Sequence, residues 1–190
     1  DAVRAHRPDC LFIATPNNPT GLMPDADLLD RLASLCEALQ IALIVDEAFI
    51  DFMPQGSSLA PRLAESRYLY LLRSLTKFFA IPGLRLGYLL SGNTHTIRQM
   101  KRTREPWSVN ALSALVGQHL LLDEDYISRS HACIARERDF LWQAMTRFSS
   151  LVVWEPQANF IFFRCLRQGF NLKAALLGHH ILIRHCENYP

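Results

Sequence analysis

The fold of this chain is decided by one short stretch, Ile41-Ala42-Leu43-Ile44-Val45-Asp46-Glu47. Its first five residues are all apolar, as is typical of a parallel strand that is covered on both faces. The run ends abruptly in two carboxylates, so these charges are expected at the C-terminal end of the strand. Taking an ion out of water costs several kcal/mol, so charges beside a buried strand indicate a purpose beyond folding.

The segments around this strand repeat the same order of elements. Residues 10–15 form an apolar run that ends in turn formers, and residues 68–72 and 84–90 are further strand candidates. After Asp25, leucines recur at helical spacing, which predicts an amphipathic helix. This alternation predicts an α/β fold with a mostly parallel sheet and helices on both faces, in which ligands bind outside the carboxyl ends of the strands.

The second half of the chain has a different character. We expect helices over residues 96–104, 109–122, 125–148 and 172–177, and short strands over residues 151–154, 159–163 and 181–184. The longest of these helices is expected to bridge two lobes. The sequence therefore predicts that residues 1–123 are part of a large domain, and that residues 124–190 are an interdomain helix with part of a small α+β C-terminal domain.

The composition is that of a globular, cytoplasmic protein with a small partner. A hydrophobic fraction of 49% in 190 residues is enough for a core, and no apolar run is long enough to span a bilayer. The net charge is only +2 and the basic residues are scattered, so we expect no nucleic-acid and no membrane partner. The five cysteines show no CxxC spacing, and their odd number fits free thiols in a reducing cytoplasm.

Three charged side chains at strand ends match the needs of one small cofactor. Lys77 offers an amine, Asp46 a carboxylate and Arg85 a guanidinium, and all three are expected to be buried beside apolar strands. Pyridoxal 5'-phosphate has an aldehyde that reacts with a lysine amine, a ring nitrogen that pairs with a carboxylate, and a phosphate that binds arginine and hydroxyls. The chain therefore predicts a pyridoxal phosphate site.

Three linked motifs carry a resemblance to a known family. They are Asn18-Pro19-Thr20-Gly21, Asp46-Glu47-Ala48-Phe49, and Ser74-Leu75-Thr76-Lys77 followed by Gly83-Leu84-Arg85-Leu86-Gly87. In order and spacing they resemble the fold-type I pyridoxal-phosphate enzymes of the class I/II aminotransferase superfamily. One motif alone would be weak evidence, because such short motifs occur by chance in many loops. The resemblance implies a PLP-dependent transferase-like fold, with residues 1–123 in its large PLP-binding domain.

The resemblance also implies roles for residues at the ring of the cofactor. Lys77 would bind the cofactor covalently and carry the catalytic proton, and Asp46 would keep the ring nitrogen protonated. Asn18 would donate its amide to the phenolic oxygen and lie close to the substrate carboxylate. The alternatives for these three residues are a surface lysine, a loop or helix-capping carboxylate, and a plain turn asparagine.

The remaining candidates would bind anions. Ser74, Thr76 and Arg85 resemble the family's cradle for the cofactor phosphate, in which hydroxyls donate hydrogen bonds and the guanidinium offers a fork. Arg184 is the candidate for gripping a phosphate or carboxylate of the substrate. The alternatives are hydroxyls that merely cap a helix, and an arginine that reaches from a strand end into solvent.

Finer details resemble the threonine-phosphate decarboxylase family of cobalamin biosynthesis, over residues 46–52, 72–78, 106–110 and 181–186. This likeness implies decarboxylation of O-phospho-L-threonine to (R)-1-aminopropan-2-yl phosphate by a homodimer. Phe49 agrees with it, because that family carries Phe at a position where many relatives have a tyrosine that reaches the cofactor. Histidinol-phosphate aminotransferases are similar over the same span and are the nearest alternative.

A third interpretation is a truncated, inactive piece or an interaction module. The chain begins at Asp1 without methionine and ends at Pro190, so we expect a fragment. Family elements upstream of it are absent, as is a second substrate-binding arginine expected just past Pro190, so the isolated chain is expected to bind the cofactor poorly. No metal is expected, because the neighbouring residues His179, His180 and His185 with Cys186 lack a second ligand cluster of suitable spacing.

Overall fold

The computed structural model describes residues 1–53 and 58–186. Its main sheet contains four strands in the order β1 (Cys10–Ala14), β2 (Ala42–Asp46), β3 (Leu69–Ser74) and β4 (Gly87–Leu90). The first three strands are parallel, and β4 runs antiparallel to β3. The predicted mostly parallel sheet is therefore present. Strand β4 begins later than predicted, because Pro82–Leu84 forms a 3₁₀ turn before it.

Seven α-helices lie before, between and after these strands in the described ranges. They are α1 (Ala2–His6), α2 (Ala26–Leu39), α3 (Leu75–Phe78), α4 (Thr94–Thr103), α5 (Ala111–Leu120), α6 (Glu124–Thr146) and α7 (Leu172–Leu177). The last four begin where a side chain accepts a hydrogen bond from the first turn, at Asn93, Asn110, Asp123 and Asn171. None of the helices in the described part of the chain is long and apolar enough to cross a membrane.

Two apolar clusters hold the sheet in place. In the first, Leu29, Ala33 and Cys36 of α2 recur at helical spacing and pack against strand residues such as Leu43 and Leu71. Full burial of each leucine contributes about 1.5–3 kcal/mol. The second cluster consists of Phe52, Leu75, Phe78 and Phe79, against which α6 packs through Tyr126, Ile127 and Ile134. The short helix α3 is therefore buried between β3 and α6.

The opposite face of the sheet is partly open. Phe12 of β1 pairs in register with Ile44 of β2, and both alternate with residues that face α2. Phe12 is 57% exposed. This face is therefore incompletely covered at Phe12.

The small sheet differs from the predicted one. Strands β5 (Leu151–Val153) and β6 (Phe163–Cys165) pair antiparallel, so the first predicted strand is present and the second begins four residues later than expected. The predicted strand over residues 181–184 is wrong. Leu182 is 80% exposed, and no described strand lies beside this segment to complete a ladder of hydrogen bonds. The last four residues of the predicted small domain, 187–190, lie outside the described residues.

Gly92, just after β4, is expected to tolerate no side chain. A methyl group there would collide with the carbonyl oxygen of Leu63 and lie 2.7 Å from that of Ser66. Because both obstacles are backbone atoms, Gly92→Ala is expected to lower the free energy of unfolding by about 1–3 kcal/mol. Denaturant unfolding followed by circular dichroism measures this loss. The control is Gly83→Ala, where an added methyl meets nothing within 4 Å; equal midpoints for both variants would contradict the close approach of the Leu63 and Ser66 carbonyls to Gly92.

Candidate active site

The carboxyl ends of the parallel strands gather the predicted site residues at one edge of the sheet. Asp46, the last residue of β2, lies in register with Ala14 on one side and with Leu72 on the other. Ser74 follows two residues later on β3 and lies opposite Gly87 of β4. The next backbone bond, from Leu75 N–H to Leu86 O at 3.2 Å, brings the segment around Arg85 beside the start of α3.

A cavity of about 210 Å³ lies at this edge. Its lining consists of Ala14, Pro16, Asn18, Asp46, Phe49 and Arg184. Three of the seven predicted site residues thus share one cavity, although 166 positions of sequence separate Asn18 from Arg184. These three residues present an amide, a carboxylate and a guanidinium to the cavity. Together the three groups can bind a small molecule that carries both positive and negative charge.

Arg184 and Asn18 contact each other directly. Nη1 of Arg184 donates a hydrogen bond of 3.2 Å to Oδ1 of Asn18. Arg184 is exposed and lies outside any strand, but its side chain returns to the main sheet instead of extending into solvent. The interaction joins the C-terminal segment to the loop after β1.

Asp46 is half-buried, and only one of its carboxylate oxygens has a local partner. Oδ1 accepts a hydrogen bond of 3.0 Å from the backbone N–H of Ala48. This contact is the one expected of a plain loop carboxylate, which was the alternative interpretation of Asp46 from the sequence. Within the described residues no side chain or backbone donor reaches the other oxygen, so Asp46 retains acceptor capacity toward the cavity.

Ser74 and Thr76 contact each other through their hydroxyls, whose oxygens lie 2.8 Å apart. Ser74 occupies the N-cap position of α3, yet its side chain makes no capping hydrogen bond. Thr76 is buried. The interpretation of Ser74 as a plain helix cap is therefore wrong, and the two hydroxyls form a polar pair at the end of β3.

Lys77 and Arg85 are exposed, and the expectation that both are buried is wrong. Helix α3 has a single turn, and its other three residues are buried, Leu75 and Phe78 in the second apolar cluster, so Lys77 occupies the outer side. Arg85 has a left-handed backbone with φ 53°, and its Nη1 donates to the Pro82 carbonyl at 3.0 Å. Neither residue lines the 210 Å³ cavity, which the structure places beside Asp46.

Phe160 is a neighbour of this site that the sequence did not single out. Its ring meets that of Phe49 edge to face at a centroid distance of 5.1 Å. It also packs on Gly21, where an added Cβ would lie 3.3 Å from the Phe160 carbonyl oxygen and where φ is +72°. The segment between β5 and β6 thus contacts Phe49, one of the residues that line the cavity, through an aromatic ring. The residue was missed because the pattern 159–163 predicts a strand and not a loop.

A buried ion cluster lies next to the site in sequence. Arg73 contacts both Glu47 and Asp51, and the side chain of Glu47 is 0% exposed. Burial raises the pKa of the Asp51 carboxyl above its ordinary value, and the nearby Arg73 guanidinium partly offsets this rise. Across residues 1–53 and 58–186, no group of three or more His, Cys, Asp or Glu side chains is arranged to hold a metal ion.

Comparisons with known proteins agree with this architecture. The model of the family "Aminotransferase class I and II" matches residues 1–189. The chain is 46% identical over 182 residues to threonine-phosphate decarboxylase of Salmonella typhimurium, covering 96% of this chain and 50% of that protein. It is 30% identical over 184 residues to histidinol-phosphate aminotransferase 1 of Carboxydothermus hydrogenoformans, covering 97% and 50% respectively. The chain spans about half the length of these curated relatives.

A solved structure matches the fold as a whole. Histidinol-phosphate aminotransferase from Clostridium acetobutylicum superimposes with a TM-score of 0.93 at 30% sequence identity, over 98% of this chain and 57% of that one. The predicted PLP-dependent transferase-like fold is therefore confirmed. The chain belongs to the aminotransferase class I and II family, as its three linked motifs predicted.

Proposed function

We propose that this chain is part of a pyridoxal-phosphate-dependent lyase that decarboxylates O-phospho-L-threonine to (R)-1-aminopropan-2-yl phosphate. The observation that carries the proposal is the cavity that Asn18, Asp46 and Arg184 share at the carboxyl ends of β1 and β2. Cobalamin biosynthesis, a homodimer of the complete gene product and a cytoplasmic location belong to the same proposal. The first two are supported by the family resemblance, and the third by five free cysteines.

The residues at this sheet edge fit pyridoxal 5'-phosphate. Asp46 has an oxygen available for the ring nitrogen, and the hydroxyl pair of Ser74 and Thr76 offers donors for a phosphate. The exposed amine of Lys77 is accessible to an aldehyde, and the exposed guanidinium of Arg85 is accessible to an anion. When bound, the cofactor supplies a cationic ring that accepts the electron pair released by a breaking bond at the substrate Cα.

The chain's own residues would orient the substrate and move its proton. Arg184 and Asn18 would hold the anionic groups of the substrate, because a guanidinium and an amide donate hydrogen bonds to phosphate or carboxylate. Their positions decide which bond to Cα breaks, since orientation selects between decarboxylation and proton removal. Carbon dioxide leaves, and Lys77 donates the proton that takes its place on Cα. The carboxylate of Asp46 would pair with the positive ring nitrogen of the bound cofactor.

Two observations favour the decarboxylase over the aminotransferase. Identity to the Salmonella decarboxylase is 46%, against 30% for the Carboxydothermus aminotransferase over nearly the same residues. Phe49 lines the cavity with a ring that carries no hydroxyl. A tyrosine there would donate a hydrogen bond to the cofactor, as in many relatives.

The second candidate is a histidinol-phosphate-type aminotransferase. The TM-score of 0.93 to the Clostridium acetobutylicum aminotransferase favours it. In this reaction Lys77 would remove the Cα proton instead of delivering one, with the same Asp46 and the same phosphate cradle. The two candidates therefore differ in substrate orientation and not in catalytic groups.

One experiment separates these functions. The complete gene product with added cofactor is incubated with O-phospho-L-threonine while carbon dioxide is measured, and in parallel with histidinol phosphate and 2-oxoglutarate while glutamate is measured. We expect carbon dioxide release and no glutamate. Glutamate without carbon dioxide would establish the aminotransferase. Neither product, together with no cofactor binding, would support the inactive-fragment interpretation.

A further inference from the structure

Arg73 is the centre of a buried polar cluster directly behind the proposed site. Each of its three guanidinium nitrogens faces a different partner. Nε lies 2.7 Å from Oε2 of Glu47, Nη1 lies 2.9 Å from Oδ1 of Asp51, and Nη2 donates to Oγ of Ser58 at 2.9 Å. We call these four residues the Arg73 cluster.

Glu47 is fully partnered inside this cluster. Its Oε1 accepts a hydrogen bond from the Leu59 backbone N–H at 3.1 Å, and its Oε2 accepts one from Ser58 Oγ at 3.0 Å. A carboxylate with no exposed surface needs such partners, because burial of an unpaired charge is costly. The cluster therefore ties three separate segments together: the end of β2, the end of β3 and the chain around Ser58.

The cluster and the site occupy opposite sides of the same backbone. Asp46 precedes Glu47, and Ser74 follows Arg73, so each site residue is one position away from a cluster residue. The backbone N–H of Glu47 bonds to the Leu72 carbonyl at 2.9 Å, which continues the β2–β3 pairing through this point. Because successive side chains on a strand point to opposite faces, the contacts of Arg73 and Glu47 hold the backbone from which Asp46 and Ser74 project.

The Arg73 cluster defines the relative position of its segments more than it stabilises the fold. A buried ion group contributes little net stability, because the cost of desolvation offsets the attraction between charges. A planar guanidinium that donates hydrogen bonds to Asp51 and Ser58 and forms an ion pair with Glu47, however, restricts the relative arrangement of the segments that carry them. A lysine at the same position has the charge but not the fork, so it cannot hold all three partners at once.

We propose that Arg73 is a positioning residue: through Glu47, Asp51 and Ser58 it fixes the backbone that presents Asp46 and Ser74 to the cofactor. The proposal rests on the proposed function, since it assumes that pyridoxal phosphate binds at this sheet edge. Arg73 would then determine the affinity for the cofactor without contacting the cofactor itself.

The test uses the complete gene product and titrates pyridoxal 5'-phosphate by visible absorbance. Arg73→Lys is expected to weaken cofactor affinity by about 10- to 100-fold, because small misplacements of binding groups cost that much. Arg62→Lys is the matched control. Arg62 also forks between two partners, Ser34 and Asp30 of α2, but it lies away from the site. The Arg62→Lys variant should bind the cofactor with the same affinity as the parent protein.

A second variant separates positioning from stability. Glu47→Gln and Asp51→Asn combined with Arg73→Met remove the three charges of the cluster together, so no unpaired charge remains there and folding is retained. We expect its cofactor-free unfolding midpoint to lie near the parental one while its cofactor affinity stays about 10-fold or more lower. Parental affinity in either folded variant would overturn the positioning role while leaving the proposed function intact. If the parent protein itself binds no cofactor, the proposed function fails and this inference fails with it.

Discussion

Replacing Lys77 with alanine is expected to abolish the visible absorbance of the lysine-bound cofactor and to reduce turnover to background. The amine is the only group assigned both to hold the aldehyde and to move the proton at Cα. Loss of a general acid alone lowers rates by about 10²–10⁴-fold, and loss of the covalent anchor adds to this. The measurement is the absorbance spectrum of the complete gene product with added pyridoxal 5'-phosphate, followed by assay of carbon dioxide release.

The matched control for Lys77 is Lys101 of α4. Both side chains are exposed and both are in the last turn of their helices. Lys101→Ala should therefore leave the spectrum and the rate unchanged. An undiminished visible band in Lys77→Ala, or an equal loss in both variants, would remove Lys77 from its assigned role.

Much of the sheet could be predicted because its signals are local. The run 41–45 is long and apolar enough to indicate a buried strand, and β2 begins and ends within one residue of it. The predicted helix 172–177 matches α7 because Asn171 provides a cap that is visible in the sequence. The division of the chain at residues 123 and 124 stays a prediction.

Burial of charges could not be predicted in the same way. The sequence placed charges beside the correct strands, but the charges with little exposure are Glu47, at 0%, and Arg73, at 12%, and not Lys77 and Arg85. Successive side chains along a strand point to opposite faces of the sheet, but this alternation does not indicate which of the two faces another element of the fold covers. That choice depends on α6 and on the chain around Ser58, which are distant in sequence.

The cavity depends on similar long-range contacts. Arg184 was predicted from an apolar strand end, yet the strand is absent and the side chain still reaches Asn18. Phe160 contacts Phe49, which lines the cavity, from a segment that was predicted as a strand. Motif resemblance identified the residues at the sheet edge because their spacing is local, but it could not provide the partners that the small sheet contributes.

The charge of Asp46 can be tested separately from its shape. Asp46→Asn keeps the size of the side chain and an oxygen that can accept the Ala48 N–H bond, but it removes the negative charge. A hydrogen bond to a charged group contributes about 1.5–3 kcal/mol, so cofactor affinity is expected to fall by about 10- to 150-fold. The rate should fall further, because an unprotonated ring nitrogen withdraws fewer electrons from Cα.

Affinity is measured by titrating the complete gene product with pyridoxal 5'-phosphate, and the rate is measured at saturating cofactor so that the two losses are separated. Asp27→Asn on α2 is the control, because the Asp27 side chain is 85% exposed and pairs with Arg31 in the adjacent turn. Equal unfolding midpoints for the two variants show that the fold is retained. If Asp46→Asn then binds cofactor and turns over like Asp27→Asn, the carboxylate at the end of β2 has no electrostatic role, and the cavity beside it is not where the ring nitrogen lies.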